Sequence, residues 1–140
     1  MRWPAIILAG GSGINASAND PAKFVMMHYM PWFDTPASNN GQWGMHWTMG
    51  NQNPDNIDAT GRHDIAAHYY PLIGPYASND DRVLDYHMEL MKMAGIDGII
   101  LDYYGVKGSN GDVELLQRNS DQVIQAVIRN NMKFIIMERV

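Results

Sequence analysis

Three apolar runs in this sequence each end on side chains that can bind or react. The first gives way to His28, Tyr29 and then Trp32-Phe33, the second to Asp102, Tyr103 and Tyr104, and the third to Glu138 and Arg139. A further set, Trp43, His46, Trp47, His63, His68, Tyr69, Tyr70 and Tyr76, lies in one long segment rich in Asn, Gly and Pro. Flat aromatic rings among amides and carboxylates suit a carbohydrate: ring faces stack on the C–H faces of a sugar, and the polar groups take its hydroxyls. Trp32, His46 and Trp47 are read on that ground as sugar-stacking residues. Trp43, Tyr70 and Tyr76 are read as packing the loop on itself. Asp102 and Glu138 leave strands expected to be neighbours, about 4.8 Å apart. That spacing is close to the roughly 5 Å at which paired carboxyls divide nucleophile and acid roles, so they are the candidate acid–base pair within these residues.

Other chemistries find less support. His63 and His68 are five apart, not the i, i+4 spacing of a helical zinc pair, and no HExxH occurs. Asp55 and Asp58 lack the alternate spacing of a calcium loop. No metal and no cofactor is expected. The absence of cysteine removes disulfides, thiolate-bound zinc and a thiol nucleophile. Ten basic residues against fifteen acidic ones give a net charge of -5, which removes the usual electrostatic case for nucleic acid. No apolar run approaches the roughly eighteen residues of a membrane span. His87, on the apolar side of a helix, is read as a hydrogen-bonded core histidine, and the internal methionines as core filler.

The elements that must position these residues follow from hydropathy. At 140 residues the chain is the size of one domain. Lys23 to Met30, Ile96 to Asp102 and Met132 to Glu138 are continuous apolar runs, the pattern of buried strands. A helix precedes the second strand. Ser78 with Asp81 resembles a capping box, Leu84, His87, Met88 and Met91 recur at helical spacing, and Gly95 stops the helix. A second helix, with Val123, Ile124, Val127 and Ile128 on one face, ends near Asn130-Asn131. Apolar strands alternating with amphipathic helices predict a parallel α/β sheet. A closed barrel needs about 250 residues. The expectation is therefore the N-terminal part, about three strands and two helices, of a (β/α)8 TIM barrel, apparently truncated; a small open three-layer sheet is the alternative. The segment from Pro31 to Ser78 is too long for an ordinary connection, and such loops are usually functional. In a barrel the C-terminal strand ends and the loops after them build the site, which is where the reactive residues fall.

The first eighteen residues follow another grammar. Met1-Arg2, the apolar Trp3 to Ala9 and the small-residue exit Ala16-Ser17-Ala18 predict a secretory signal cleaved after Ala18, and hence a secreted or periplasmic protein whose barrel portion occupies residues 19–140. Gly10-Gly11-Ser12-Gly13 is not a phosphate loop, because no GK[ST] follows.

The run HYYPLIGPYASNDDRVLDYHMELMKMAGIDGIILDYYG, His68 to Gly105, resembles the glycoside hydrolase family 99 endo-α-mannosidases and their family 71/99-like bacterial relatives. Those enzymes share a "YP-LGPYSS-D" run, a helix beginning with a "HM" pair and a strand leaving through an aromatic pair. HYMPWF is similar to their aromatic first-strand exit, and His46-Trp47 to a His-Trp pair in their long first loop. Glu138 resembles a glutamate placed near the substrate. The match covers about residues 24 to 138. The resemblance implies a (β/α)8 barrel cleaving internal α-mannosidic linkages with retention, through a 1,2-anhydro-sugar. It also implies a catalytic glutamate pair on a later strand, beyond Val140, which no stretch here matches. Tyr29, Trp32, His46, Trp47, Asp102, Tyr103, Tyr104 and Glu138 would then line the substrate cleft. Two positions depart from the family: Tyr103-Tyr104 stands where Trp-Tyr is common, and Asp102 replaces a smaller residue. The expected partner is a glycan. A non-catalytic carbohydrate-binding protein or an inactive fragment on the same scaffold is the other reading.

Overall fold

The computed structural model describes residues 23–105 and 113–138. The leader expected over residues 1–18 and the side chain of Arg139 lie outside them. The elements run β1 (Met26–Tyr29), α1 (Met45–Thr48), α2 (Asp81–Met93), β2 (Gly98–Tyr103), α3 (Val113–Arg129) and β3 (Lys133–Glu138). The three strands form one parallel sheet in the order β1-β2-β3, the open α/β arrangement expected from apolar strands joined by helical crossovers.

The two long helices cover one face of this sheet. Leu84, Met88 and Met91 of α2 and Val123, Ala126 and Val127 of α3 meet Tyr29, Ile99, Leu101 and Phe134 in one core. Side chains alternate along a strand, so the residues between these, His28, Ile100 and Asp102, point to the opposite face. Met137, in register with Asp102, shares that face. At the end of α2 the chain turns at Gly95, whose φ of 74° is the left-handed conformation that glycine adopts without steric cost.

Three details differ from the sequence expectation. The cap of α2 is Asp80, whose carboxylate accepts from the Arg82 backbone N–H. Ser78 is drawn into a tertiary contact instead: its hydroxyl accepts from the Phe33 N–H at 3.0 Å, and its own N–H donates to the Phe33 carbonyl at 2.8 Å. Ile128 is half exposed, because the buried stripe of α3 passes through Val123, Ala126 and Val127. The long segment from Pro31 to Ser78 also contains a single helical turn, α1, which presents His46 and Trp47.

Candidate functional site

The exits of β1 and β2 and the turn α1 bring three aromatic side chains together. The Trp32 and His46 ring centroids are 5.0 Å apart with planes tilted by 31°, and Tyr104 meets Trp32 edge-on at 5.9 Å. All three rings are partly exposed. They come from three separate places in the chain yet form one aromatic surface beside the C-terminal strand ends. Such a surface can stack on the apolar face of a pyranose.

Beside this surface lies a second aromatic group, in which Trp47 is buried between the half-buried Phe33 and Tyr76. Trp47 is 1% exposed, with Phe33 against its ring at 4.1 Å, Tyr76 edge-on at 5.5 Å, and its indole N–H donating to the Tyr76 carbonyl at 3.0 Å. Both its surface and its polar atom are used internally. Trp47 therefore supports the surface and offers no face to a sugar, which corrects the expectation drawn from its position beside His46. Tyr29 is also withdrawn from the cleft. It is 8% exposed and lies in the core under α2, with its hydroxyl 2.8 Å from His87 Nδ1. Burial pushes the Tyr29 phenol well above its ordinary range and holds the His87 imidazole below its own. His87 is thus hydrogen-bonded, as its helical phase predicted, but half-buried at the margin of the core.

The carboxyl residues are separated by register. Asp102 pairs with Met137, and Glu138 pairs with Tyr103. Paired residues of a parallel sheet share a face, and neighbours along a strand point to opposite faces. Asp102 and Glu138 are therefore one step out of phase and emerge on opposite sides of the sheet. Spacing between strands alone suggested an acid–base pair; register overturns it. Asp102 is buried at 7% exposure, whereas Glu138 is exposed. Tyr103 and Glu138 do share a face, and the Tyr103 phenol is raised first by burial and then by the negative charges of Asp121 and Glu138.

Trp43, His63 and Tyr70 pack on the loop itself, whereas Tyr69 is 83% exposed. The Trp43 indole donates to Asp55 at 2.7 Å and its ring lies against His63. His63 is bound through its ring to the Pro54 carbonyl, and its backbone N–H donates to the Tyr70 hydroxyl. Among the described residues no three His, Asp or Glu side chains gather as metal ligands.

Residues 21–135 match Glycosyl hydrolase family 99. The chain belongs to this family. This family 99 chain is 32% identical over 111 residues to the glycoprotein endo-alpha-1,2-mannosidase-like protein of Homo sapiens, covering 71% of this chain and 22% of that protein. It is 30% identical over 126 residues to the corresponding Danio rerio protein, covering 80% and 26%. The chain thus spans about a quarter of the length of these curated relatives. Its fold is similar to two solved structures of the family 99 endo-alpha-mannosidase of Bacteroides thetaiotaomicron. Both give a TM-score of 0.57, at 16% and 17% identity, with 82% and 81% of this chain aligned to 29% and 32% of the solved chains.

Sequence reasoning overlooked one part of the site, a buried carboxylate beneath the aromatic surface. Asp34 is fully buried and accepts from Ser38, Arg118 and Asn119. A signal for it was present. Asn119 and Ser120 fall on the apolar phase of α3, between Leu116 and Val123, where a polar side chain needs a buried partner.

Proposed function

We propose that this chain forms the N-terminal part of a retaining glycoside hydrolase barrel that cleaves internal α-mannosidic linkages, and that Trp32, His46 and Tyr104 form part of its substrate-binding surface. The observation that carries the reading is the meeting of those three rings at the strand ends of a family 99 chain. A sugar ring placed on Trp32 and His46 buries its C–H face, and such an aromatic contact is worth about 0.5–1.5 kcal/mol beyond the area buried. Tyr103 and Glu138, in register with each other, lie on the face of the sheet that carries the two long helices.

The proposed catalytic pair lies outside these 140 residues. Retention ordinarily requires two carboxyl groups about 5 Å apart, and the opposite facing of Asp102 and Glu138 argues against their serving together. Export follows the Ala16-Ser17-Ala18 pattern and belongs to the same proposal.

The test is the reaction itself, using the full-length protein with an oligosaccharide containing internal α-mannosidic bonds. The proposal predicts release of an oligosaccharide, with the α-anomer appearing first in the NMR spectrum. Binding without turnover would identify a carbohydrate-binding protein instead. A β-anomer as first product would contradict retention.

A further inference from the structure

We propose that Asp34 is a positioning residue that locks Trp32 and His46 into a single sugar-binding surface from beneath. The inference rests on the reading of that surface as a glycan contact. The carboxylate has two oxygens and no proton to donate, so it serves as a hub for donors. Oδ1 accepts from Ser38 Oγ at 3.1 Å and from Arg118 Nη2 at 3.1 Å, while Oδ2 accepts from Asn119 Nδ2 at 3.0 Å. The same Asn119 amide donates to the Pro31 carbonyl at 3.1 Å. Trp32 therefore sits between two residues, Pro31 and Asp34, fastened to one side chain of α3.

The backbone of Asp34 holds the other ring. Its carbonyl accepts from the Gly44 N–H at 2.9 Å, two residues before His46. The approach is so close that a Cβ at Gly44 would come within 3.0 Å of the Asp34 backbone nitrogen and of its Cβ. One buried residue thus ties together the β1 exit, the turn leading into α1 and the helix α3.

Ordinary packing does not demand a fully buried carboxylate here, since taking a charge out of water costs free energy unless every lone pair is used. The contact also tolerates further imperfection. The buried side-chain polar atoms without a hydrogen-bond partner among the described residues are Trp32 Nε1, Asn119 Oδ1 and Ser120 Oγ. All three belong to this contact or lie directly beside it. Buried polar groups left unsatisfied in a native structure call for an explanation. Holding the two rings at a fixed separation supplies one.

The experiment uses Asp34→Asn and Arg118→Gln in the full-length protein with fluorinated tryptophan. The Trp32 resonance is assigned by its loss in Trp32→Phe, and affinity for an α-manno-oligosaccharide is measured alongside. Asp34→Asn keeps the side-chain volume but turns a donor toward Asn119 and Arg118. Arg118 is about half exposed, so Arg118→Gln leaves the core untouched. The expected result is a shifted or broadened Trp32 resonance and affinity weakened several-fold in Asp34→Asn, with a smaller change of the same kind in Arg118→Gln. The Trp43 resonance, which reports a separate part of the loop, is expected to stay in place. A merely structural Asp34 would lower the melting temperature but leave the Trp32 resonance and the affinity of the folded protein at wild-type values, and that result overturns the proposal. Should Asp34→Asn not fold, Arg118→Gln decides alone. Should the wild type bind no mannoside, the glycan reading fails, and the Trp32 resonance still decides whether Asp34 positions the ring.

Discussion

His87 lies between β1 and α2 with its Nδ1 against the Tyr29 hydroxyl, and its ring meets those of Tyr29 and Tyr76 edge-on. Burial disfavours the imidazolium form, so the folded-state pKa lies below the ordinary value. The unfolded chain takes up this proton near about pH 6.5, the folded chain only at lower pH. His87 therefore contributes stability that is fully present above about pH 6.5 and is lost as the pH falls through its folded pKa. Thermal melting of the wild type and of His87→Gln between roughly pH 5 and 8 tests this. The wild type is expected to lose more stability on acidification than the variant. Parallel pH profiles would show that the imidazole takes no proton on unfolding. The same residue-scale reasoning separates the tryptophans: Trp32 keeps part of its ring in solvent, while Trp47 has all of its surface committed to Phe33, Tyr76 and the loop.

The connection between β1 and α2 depends on Ser78, whose two hydrogen bonds to Phe33 fasten the start of the long loop to its end. Ser78→Ala leaves the Phe33 N–H without its partner and is expected to cost about 1–3 kcal/mol, the usual range for a buried orphaned donor. Asp80→Ala removes only the helix cap and is expected to cost about 1 kcal/mol. Chemical denaturation of both variants ranks them, and a Ser78→Ala loss below that of Asp80→Ala would contradict the structural weight given to the Ser78–Phe33 contact. Ser78 and Asp80 are both good cap formers two positions apart, and the choice between them was settled by a partner 45 residues away. Local pattern holds no information on such a contact. Strands and helices were legible because their apolar periods are local: Leu84, Met88 and Met91 mark α2 without knowledge of anything else. Register was not. Period-two alternation states which residues share a face within a strand but not how one strand is offset from the next, so the opposed facing of Asp102 and Glu138 became visible only in the pairing. Trp32 and Tyr104 were legible as strand exits, whereas burial of Trp47 depends on Phe33 and Tyr76 folding over it. Asp34 was missed because its meaning lies in Asn119, 85 residues further on.

At the scale of the whole molecule, the three strands carry helices on one face, while Val25, Met27, Met30, Ile136 and Met137 remain exposed along β1, β3 and their flanks. Open strand edges and uncovered apolar side chains favour association. The 140-residue chain by itself is accordingly expected to melt over a broad range and to sediment as more than a monomer, and a sharp two-state transition of a monomer would contradict this. Within a barrel the same edges would be paired and the aromatic surface would face the substrate. Titration of the full-length protein with an α-manno-oligosaccharide, comparing wild type with Trp32→Ala, tests the proposed surface most directly. Loss of one stacking ring is worth about 1 kcal/mol, so the account predicts an affinity several-fold weaker in a variant that remains folded. Unchanged affinity in folded Trp32→Ala would contradict it, and would assign the Trp32, His46 and Tyr104 surface to packing of the loop.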